Sequence, residues 1–307
     1  MSASAADKRR QKMKKENERT IVWSLALFMT AAVWGFAFVV VKDSLDDVPV
    51  LYMMAIRFTI AAVVLSFAFY RKLGCIKKNT LKEGVILGIM LFLAYTFQTY
   101  GCKYTTAGKN AFITSVYVIL VPFLNFAIFR KHLSKFNIIS GFMAFAGIAM
   151  ISLSGSDGGI NIGDVLTMIC GICYAVQIIY IDRFTEEEDP ALLNLIQMAV
   201  VAVLSWIAAP FAEGSITNAV TVNPSMLMGM AYLGFLSTAV CFLLQMEGQK
   251  RLHPSTASLI MSFEAVFGIL SSVIFLGEKM NIRIVTGCGL MFAAIMVAET
   301  LGDKKNT

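Results

Sequence analysis

Ten segments of the chain, each about 20 residues long, carry almost no charged side chains. About 20 apolar residues is the length that an α-helix needs to cross a hydrocarbon layer about 30 Å thick. The whole chain is 57% hydrophobic and only 15% charged, whereas soluble domains have about 25% charged residues. The sequence therefore predicts an all-α polytopic membrane protein with ten transmembrane helices, at residues 21–41, 49–70, 83–102, 107–129, 136–153, 162–181, 190–211, 225–246, 255–276 and 281–299.

Lys and Arg residues are unevenly distributed between alternate loops. If the amino terminus is cytoplasmic, the inner segments hold about 20 of them and the outer loops about five. Cytoplasmic loops collect Lys and Arg, so both termini are predicted to be cytoplasmic in a multi-pass protein of the cell membrane. The basic tail at residues 1–20 is then expected to contact anionic lipid headgroups rather than nucleic acid. Residues 301–307 form a second short cytoplasmic tail.

Few residues offer reactive or metal-binding chemistry. Cys170 and Cys173 form a C-x-x-C pair inside the sixth predicted helix, without a second Cys or His pair nearby. That setting favours small apolar packing over a redox or metal site. The two histidines, His132 and His253, lie in predicted loops. The sequence thus predicts a protein that is not an enzyme and that needs neither a metal nor a cofactor.

The two halves of the chain contain related segments. They align without gaps as two pairs: 115–134 with 262–281, at an offset of 147, and 33–43 with 173–183, at an offset of 140. Helices 1–5 therefore form one predicted repeat at residues 21–153, and helices 6–10 form a second at 162–300. Because each repeat has an odd number of helices, the two are inverted across the bilayer. Inverted repeats allow alternating access to a binding site near mid-membrane.

Several motifs also resemble a known family. They are Trp-Gly-Phe-Ala-Phe from residue 34, Arg57 in the second helix, Tyr-Thr-Thr-Ala-Gly-Lys-Asn-Ala-Phe from residue 104, Ser-Phe-Glu-Ala-Val-Phe from residue 262 and Phe-Leu-Gly-Glu-Lys from residue 275. Over residues 20–300 the chain resembles the drug/metabolite transporter superfamily, in its EamA-type branch. The resemblance implies a ten-helix carrier whose central cavity is bordered by helices 1, 3, 4, 6, 8 and 9. Many such proteins export amino acids or other small metabolites, and some relatives are lipid-linked flippases.

The chain departs from the family pattern at two places. Ala265 stands where many members have proline, which predicts a less kinked ninth helix. Arg130 and Lys131 replace a Gly-Glu pair at the end of the fourth helix. The carboxylate of that paired motif therefore remains only at Glu278.

Polar and aromatic side chains recur at helical spacing on the implied cavity helices. Residues three, four or seven positions apart share one face of a helix. An amide or phenol on such a face can line a cavity, or it can join two helices through a hydrogen bond, and both interpretations remain open. Trp34 is the repeat equivalent of Tyr174. The candidates for substrate binding are Trp34, Tyr95, Gln98, Asn110, Thr114, Tyr117, Tyr174, Gln177 and Glu264.

Glu264 is predicted to lie near the middle of the membrane. Counting ~1.5 Å per residue from Ser255 puts it about 14 Å deep. An ionised acid at that depth costs roughly 3 kcal/mol, so Glu264 must be paired, protonated or in contact with water. Arg57 lies at a similar depth. Two interpretations stay open: Glu264 and Arg57 form a structural ion pair, or Glu264 faces the cavity and serves substrate binding or proton coupling.

These patterns together predict a secondary active transporter. It would move a small polar metabolite, an amino acid or a related compound, out of the cell by alternating access. A lipid-linked flippase is the alternative. The expected partners are a small-molecule substrate and the lipid bilayer, with the proton as a candidate coupling ion, a homodimer as a candidate assembly, and no nucleic acid.

Overall fold

The computed structural model describes residues 3–130, 133–153, 161–252, 257 and 260–301, without the side chains of 3–20, 152 and 298–300. This part of the chain is helical and contains no strand. A 3₁₀ turn at Tyr70–Cys75 and a one-turn helix at Ile216–Ala219 join longer elements. The main helices are α1 (Ala3–Ser44), α2 (Val50–Ala68), α3 (Lys78–Tyr104), α4 (Ala107–Phe129), α5 (Lys135–Ser152), α6 (Ile162–Phe184), α7 (Pro190–Glu213), α8 (Pro224–Gln249), α9 (Phe263–Leu276) and α10 (Ile282–Leu301).

The predicted fold class is confirmed. Seven of these helices are long and apolar enough to cross a membrane, namely α1 from Ile21, α2, α3, α4, α6, α7 and α8. Three shorter apolar helices, Lys135–Ile151, Phe263–Leu276 and Ile282–Val297, lie at the remaining predicted positions. The number of ten crossings stays a prediction, because the first part of the segment predicted at 255–276 lies largely outside the described residues.

Two helices extend farthest beyond their predicted spans. The first helix begins at Ala3 and runs through the basic tail into the apolar segment, because Ala, Lys, Arg and Glu all favour the helical conformation. The third begins at Lys78 and ends at Tyr104, so its charged ends extend beyond the apolar stretch at 83–102. Hydropathy detects the apolar part of a helix and not its polar ends.

Helix starts are set by local chemistry. The Asp189 side chain accepts a hydrogen bond from the Ala191 N–H at 2.8 Å, and Pro190 occupies the first helical position. Asn161 caps α6 and Asn223 caps α8 in the same way, through N–H groups at 2.7 and 2.8 Å. Such side chains satisfy backbone donors that have no partner within the helix. The register of α6, α7 and α8 is therefore encoded within a few residues.

The paired segments at 115–134 and 262–281 share two backbone features. A break in α4 lies at Ser115, and α9 begins just after Ser262, 147 residues later. The first segment's helix ends at Arg130 with φ 55°, and the second ends at Gly277 with φ 65°, again 147 residues later. Glycine adopts this left-handed conformation without the steric cost that an arginine incurs. The aligned sequences thus have the same break and the same ending.

Helix packing follows a two-fold pattern. Three pairs of equivalent helices pack against each other: α2 with α7, α4 with α9, and α5 with α10. Three contacts between non-equivalent helices also have counterparts in the other half. The contact of α3 with α6 corresponds to that of α8 with α1, the contact of α1 with α9 to that of α6 with α4, and the contact of α3 with α7 to that of α8 with α2. The contacts between halves therefore surround a shared central region.

Small residues bring α9 close to its neighbours. A Cβ at Gly35 would overlap Phe267, and one at Gly268 would overlap Ala111. Small residues at helix contacts let backbones approach closely within a membrane. This approach positions the start of α9, including Glu264, against α1 and α4.

Candidate functional site

A central cavity lies among α1, α2, α3, α4, α6, α8 and α9 and has an empty volume of about 610 Å³, counted with its mouth. All ten residues that the sequence singled out line this one cavity. They are Trp34, Arg57, Tyr95, Gln98, Asn110, Thr114, Tyr117, Tyr174, Gln177 and Glu264. Their role in substrate binding stays a prediction. The family resemblance implied a cavity bordered by helices 1, 3, 4, 6, 8 and 9. In the structure α2 also borders the cavity, because it contributes Arg57.

Sequence reasoning missed several polar lining residues. Thr99, Ser237 and Gln245 also line the cavity, beside the ring of Phe242. Gln245 is a buried amide in an apolar helix, the same signal that marked Gln98 and Gln177. The hydroxyl groups carry no such signal, because Ser and Thr are common in membrane helices and can bond to their own backbone.

Arg57 is held by neutral partners. Its side chain is 2% exposed. Nε donates to Thr238 Oγ1 at 3.1 Å, and Nη2 donates to the same oxygen at 3.0 Å and to Ser237 Oγ at 3.4 Å. The guanidinium carbon lies 4.7 Å from the centre of the Tyr95 ring. No Asp or Glu of the described residues lies within 4.0 Å of it, so the ion pair with Glu264 left open by the sequence is not formed in this structure.

A π-helical segment in α8 supplies these hydroxyl groups. It covers Tyr232–Val240, and the Thr238 hydroxyl donates to the Leu233 carbonyl, five residues earlier, at 2.7 Å. The Trp34 indole N–H donates to the Ser237 carbonyl at 2.8 Å. Widened turns of this kind are frequent at functional sites. Here the turn presents two adjacent hydroxyl groups to the guanidinium.

Glu264 lies in the first turn of α9 and is 4% exposed. The Tyr117 side chain lies beside its carboxyl group, close enough for the hydroxyl to interact with it. Its Oε1 atom has no hydrogen-bond partner among the described residues. Tyr117 and Glu264 are equivalent positions of the two paired segments, 147 residues apart. The two halves of the chain thus meet at the carboxyl group.

Three tyrosine rings stand in series along the cavity wall. The Tyr95 and Tyr174 ring centres are 5.8 Å apart, and those of Tyr174 and Tyr117 are 6.2 Å apart, both in edge-to-face contact. The Tyr174 hydroxyl also donates to Gln98 Oε1 at 3.3 Å. Tyr95 contacts Arg57, and Tyr117 lies beside Glu264. The row of rings therefore extends from Arg57 to Glu264.

The buried amides join helices and line the cavity at once. Asn110 Nδ2 donates to the Gln98 carbonyl at 3.1 Å and to Thr167 Oγ1 at 2.8 Å. Gln177 Nε2 donates to Gln197 Oε1 at 3.2 Å. Both interpretations of these amides therefore hold in part, because the nitrogen atoms connect helices while the residues face the cavity.

Five oxygen atoms of the lining residues have no hydrogen-bond partner among the described residues. They are Asn110 Oδ1, Thr114 Oγ1, Gln177 Oε1, Gln245 Oε1 and Glu264 Oε1. A buried acceptor left unpaired costs about 1–3 kcal/mol, so such groups are normally satisfied by water or by a polar ligand. Their concentration at one cavity gives its wall several unused hydrogen-bond acceptors.

Buried polar contacts join α1, α3, α4 and α6 at the end of the cavity predicted to face outward. Asp164, in the first turn of α6, is 2% exposed and accepts a hydrogen bond from the Thr105 hydroxyl at 2.7 Å. Its Oδ2 lies 4.0 Å from Lys109 Nζ in α4. Lys42 Nζ donates to the carbonyl oxygens of Cys102 and Thr105 at 2.8 and 2.7 Å. These contacts hold the outer ends of the cavity helices together.

Glu278, the remaining carboxylate of the paired motif, caps a helix. It follows the end of α9 and accepts hydrogen bonds from the N–H groups of Ala107 and Gly108 at 2.7 and 3.2 Å. A carboxylate at a helix start is favoured by the unpaired N–H groups and the helix dipole. Glu278 thereby fixes the outer end of α4 against α9.

An exposed ion pair joins two loops on the predicted cytoplasmic side. Lys72 Nζ lies 2.6 Å from Asp189 Oδ2. Partial burial raises the pKa of Asp189, but the hydrogen bonds from Lys72 and from the Ala191 N–H outweigh it, so the pKa lies below its ordinary value. Both side chains are more than one third exposed, and such pairs contribute little stability.

Metal-binding groups are scarce in the described part of the chain. It holds no cluster of three or more His, Cys, Asp or Glu residues that could bind a metal ion. Cys170 and Cys173 are free thiols there, the first buried and the second partly exposed. The chemistry that the cavity offers is hydrogen bonding, ring contact, one guanidinium and one carboxyl group.

Comparison with known proteins agrees with this arrangement. The model of the EamA-like transporter family matches residues 21–153 and 161–300. An uncharacterized transporter from Archaeoglobus fulgidus is 31% identical over 284 residues, which cover 92% of this chain and 88% of that protein. The uncharacterized transporter YoaV from Bacillus subtilis is 20% identical, over 89% of this chain and 95% of that protein.

A solved structure shares the fold. Its chain is 18% identical and superimposes with a TM-score of 0.69, over 93% of this chain and 98% of its own length. The resemblance to the EamA branch of the drug/metabolite transporter superfamily is therefore confirmed. The family and the names of these relatives indicate a transporter rather than an enzyme, which in the membrane contacts lipid and a small-molecule substrate. The chain belongs to the EamA-like transporter family and is a multi-pass membrane transporter.

Proposed function

We propose that the chain is a secondary active transporter that moves a small polar metabolite, an amino acid or a related compound, out of the cell by alternating access. The observation that carries the proposal is the position of Arg57 and Glu264. These two groups, a guanidinium and a carboxyl group, come from the two halves of the chain, are both buried, and line one cavity without pairing with each other. Each is therefore available to a solute.

The cavity has the chemistry of a small-molecule site. Ligand pockets commonly combine apolar walls with a few polar groups. The wall here includes several aromatic rings, and the polar groups are amides, hydroxyls, one guanidinium and one carboxyl group. Such a lining favours a small polar solute over the lipid-linked alternative, because an acyl chain cannot form hydrogen bonds with the five unpaired oxygen atoms.

Alternating access is supported by the relation between the two halves. The break at Ser115 recurs at Ser262, and the equivalent residues Tyr117 and Glu264 touch each other at the cavity. Two halves with similar packing can exchange unequal conformations, which opens a central site first to one side and then to the other. A change in the contacts of Glu264 would accompany that exchange.

Reconstitution into liposomes tests this function. Purified protein should accumulate at least one solute from a panel of labelled amino acids and nucleosides, measured with and without an imposed pH gradient, above the level of protein-free liposomes. Movement of a lipid-linked substrate without any solute flux would instead favour the flippase. Chemical turnover of a panel member without flux would contradict a transporter altogether.

The orientation can be tested separately with reporter fusions. Because Lys and Arg collect in cytoplasmic loops, fusions after Lys78 and after Asp303 should report the cytoplasm, and one near Asp157 should report the outside. Paired reporters, one active on each side of the membrane, provide the measurement and its control. A cytoplasmic signal at Asp157 would contradict both the five-plus-five helix count and the inverted repeat.

A further inference from the structure

We propose that Arg57 is the anion-binding residue of the cavity, so that transported solutes carry a carboxylate or a comparable small oxyanion. This inference rests on the proposed function and adds a substrate class to it. It starts from a cation that is buried at the cavity wall without an acidic partner.

The surroundings of Arg57 only partly compensate its charge. A buried cation is costly unless it is paired with an anion. Two hydroxyl groups and the face of the Tyr95 ring are the contacts that Arg57 makes at the cavity, and all of them are neutral. An anion arriving in the cavity would therefore gain a strong interaction with a side chain that has already lost its water.

The guanidinium group is also held in a fixed orientation. Nε and Nη2 are bound to Thr238 and Ser237, whereas Nη1 donates to no acceptor of the described residues. Arginine binds carboxylates and phosphates through several N–H groups in one plane, and an arginine held in advance loses less entropy on binding. Arg57 thus has both a free N–H group and an orientation set by the π-helical turn.

Two lysines at one end of the cavity helices are not available for this role. Lys109 lies near Asp164, and Lys42 donates to backbone carbonyls at the outer end. Among the described residues that line the cavity, Arg57 is the single cation. Three tyrosine rings lie between Arg57 and Glu264, and the two side chains do not contact each other. Arg57 can therefore recognise the acidic end of a solute independently of Glu264.

Matched acids and amides test the proposal. The assay measures liposome uptake of a labelled solute that the protein transports. L-leucine and L-phenylalanine are compared as inhibitors of this uptake with L-leucinamide and L-phenylalaninamide, which lack the carboxylate. Acetate and benzoate are compared with acetamide and benzamide. Hydrogen bonds to charged groups are strong enough that each acid should compete about 10- to 100-fold better than its amide.

Variants of Arg57 locate this preference. Arg57→Gln should reduce the ratio of acid to amide inhibition to near one, and Arg57→Lys, which keeps the charge, should keep part of it. Lys72→Gln serves as the matched control, since it removes an exposed cation outside the cavity and should leave the acid preference in place. A purely structural role of Arg57 would weaken acids and amides equally.

Each outcome bears on the proposal even if Arg57→Gln fails to fold, because the comparison in the unaltered protein stands alone. If solutes move but amides and nucleosides compete as well as acids, the transporter is upheld and the anion site is overturned. If Arg57→Gln folds and retains the acid preference, the anion site lies elsewhere and the proposal fails. If no panel solute moves or competes, the proposed function and the anion site both fail.

Discussion

Replacing Glu264 with glutamine is expected to abolish accumulation driven by a pH gradient while leaving some exchange of substrate. The carboxyl group is buried at the cavity, has one unpaired oxygen and lies beside Tyr117 where the two halves meet. A group in that position can carry a proton from one side to the other only if it can gain and lose one. Glutamine has nearly the same shape but is always neutral, so it separates the shape of the side chain from its protonation.

Two measurements in liposomes check this expectation: accumulation under a pH gradient, and exchange with the same solute on both sides. Glu264→Asp is the control, since it keeps a carboxyl group and should keep pH-driven accumulation. Because Arg57 is not bonded to Glu264, the glutamine variant should also keep its thermal stability. If Glu264→Gln still accumulates solute fully under the gradient, the coupling role is wrong. A selective loss of amine binding with unchanged pH dependence would assign Glu264 to the substrate instead.

Replacing Asp164 with asparagine is expected to lower the free energy of unfolding by about 3 kcal/mol, because it leaves a buried cation without its partner. Asp164 and Lys109 are both nearly inaccessible, with side chains 2% and 9% exposed. Asparagine can still accept the hydrogen bond from Thr105, so the substitution removes the charge and keeps that contact.

Denaturation of the detergent-solubilised protein measures this loss, and a double-mutant cycle assigns it to the pair. Lys109→Met removes the stranded cation, so the double variant should recover most of the stability that Asp164→Asn loses. The exposed pair provides the comparison: Asp189→Asn should cost less than about 1 kcal/mol, because water screens its interaction with Lys72. If the double variant is no more stable than Asp164→Asn alone, Lys109 is not the partner that matters.

Much of the fold and of the cavity could be predicted from the sequence. Apolar length is a local property that the thickness of the membrane turns directly into a helix, so the positions of the helices followed from composition. Amides and acids are costly within apolar helices, so Gln98, Gln177 and Glu264 stood out before any packing was known. The same argument applied to Gln245, which was overlooked although it lines the cavity.

The ends and breaks of the helices followed less directly. The start of α7 was marked by Pro190 and its cap Asp189, both of which act locally. The break at Ser115 and the π-helical turn at Tyr232–Val240 carry no equivalent signal, because neighbouring helices stabilise them. Arg130 shows how far sequence reasoning extends. Nothing in its own residue type indicates a left-handed conformation, and only its alignment with Gly277 does.

The sequence by itself determined which residues are polar, how deep they lie and which face of a helix they share. It left open whether Arg57 pairs with Glu264, since both fall at similar depths. Only the tertiary structure decided this, by placing the hydroxyl groups of Ser237 and Thr238 against Arg57 and the phenol of Tyr117 against Glu264. The physical reason is that contacts between helices depend on how each helix is rotated and shifted against its neighbours. Spacing along a single helix does not contain that information.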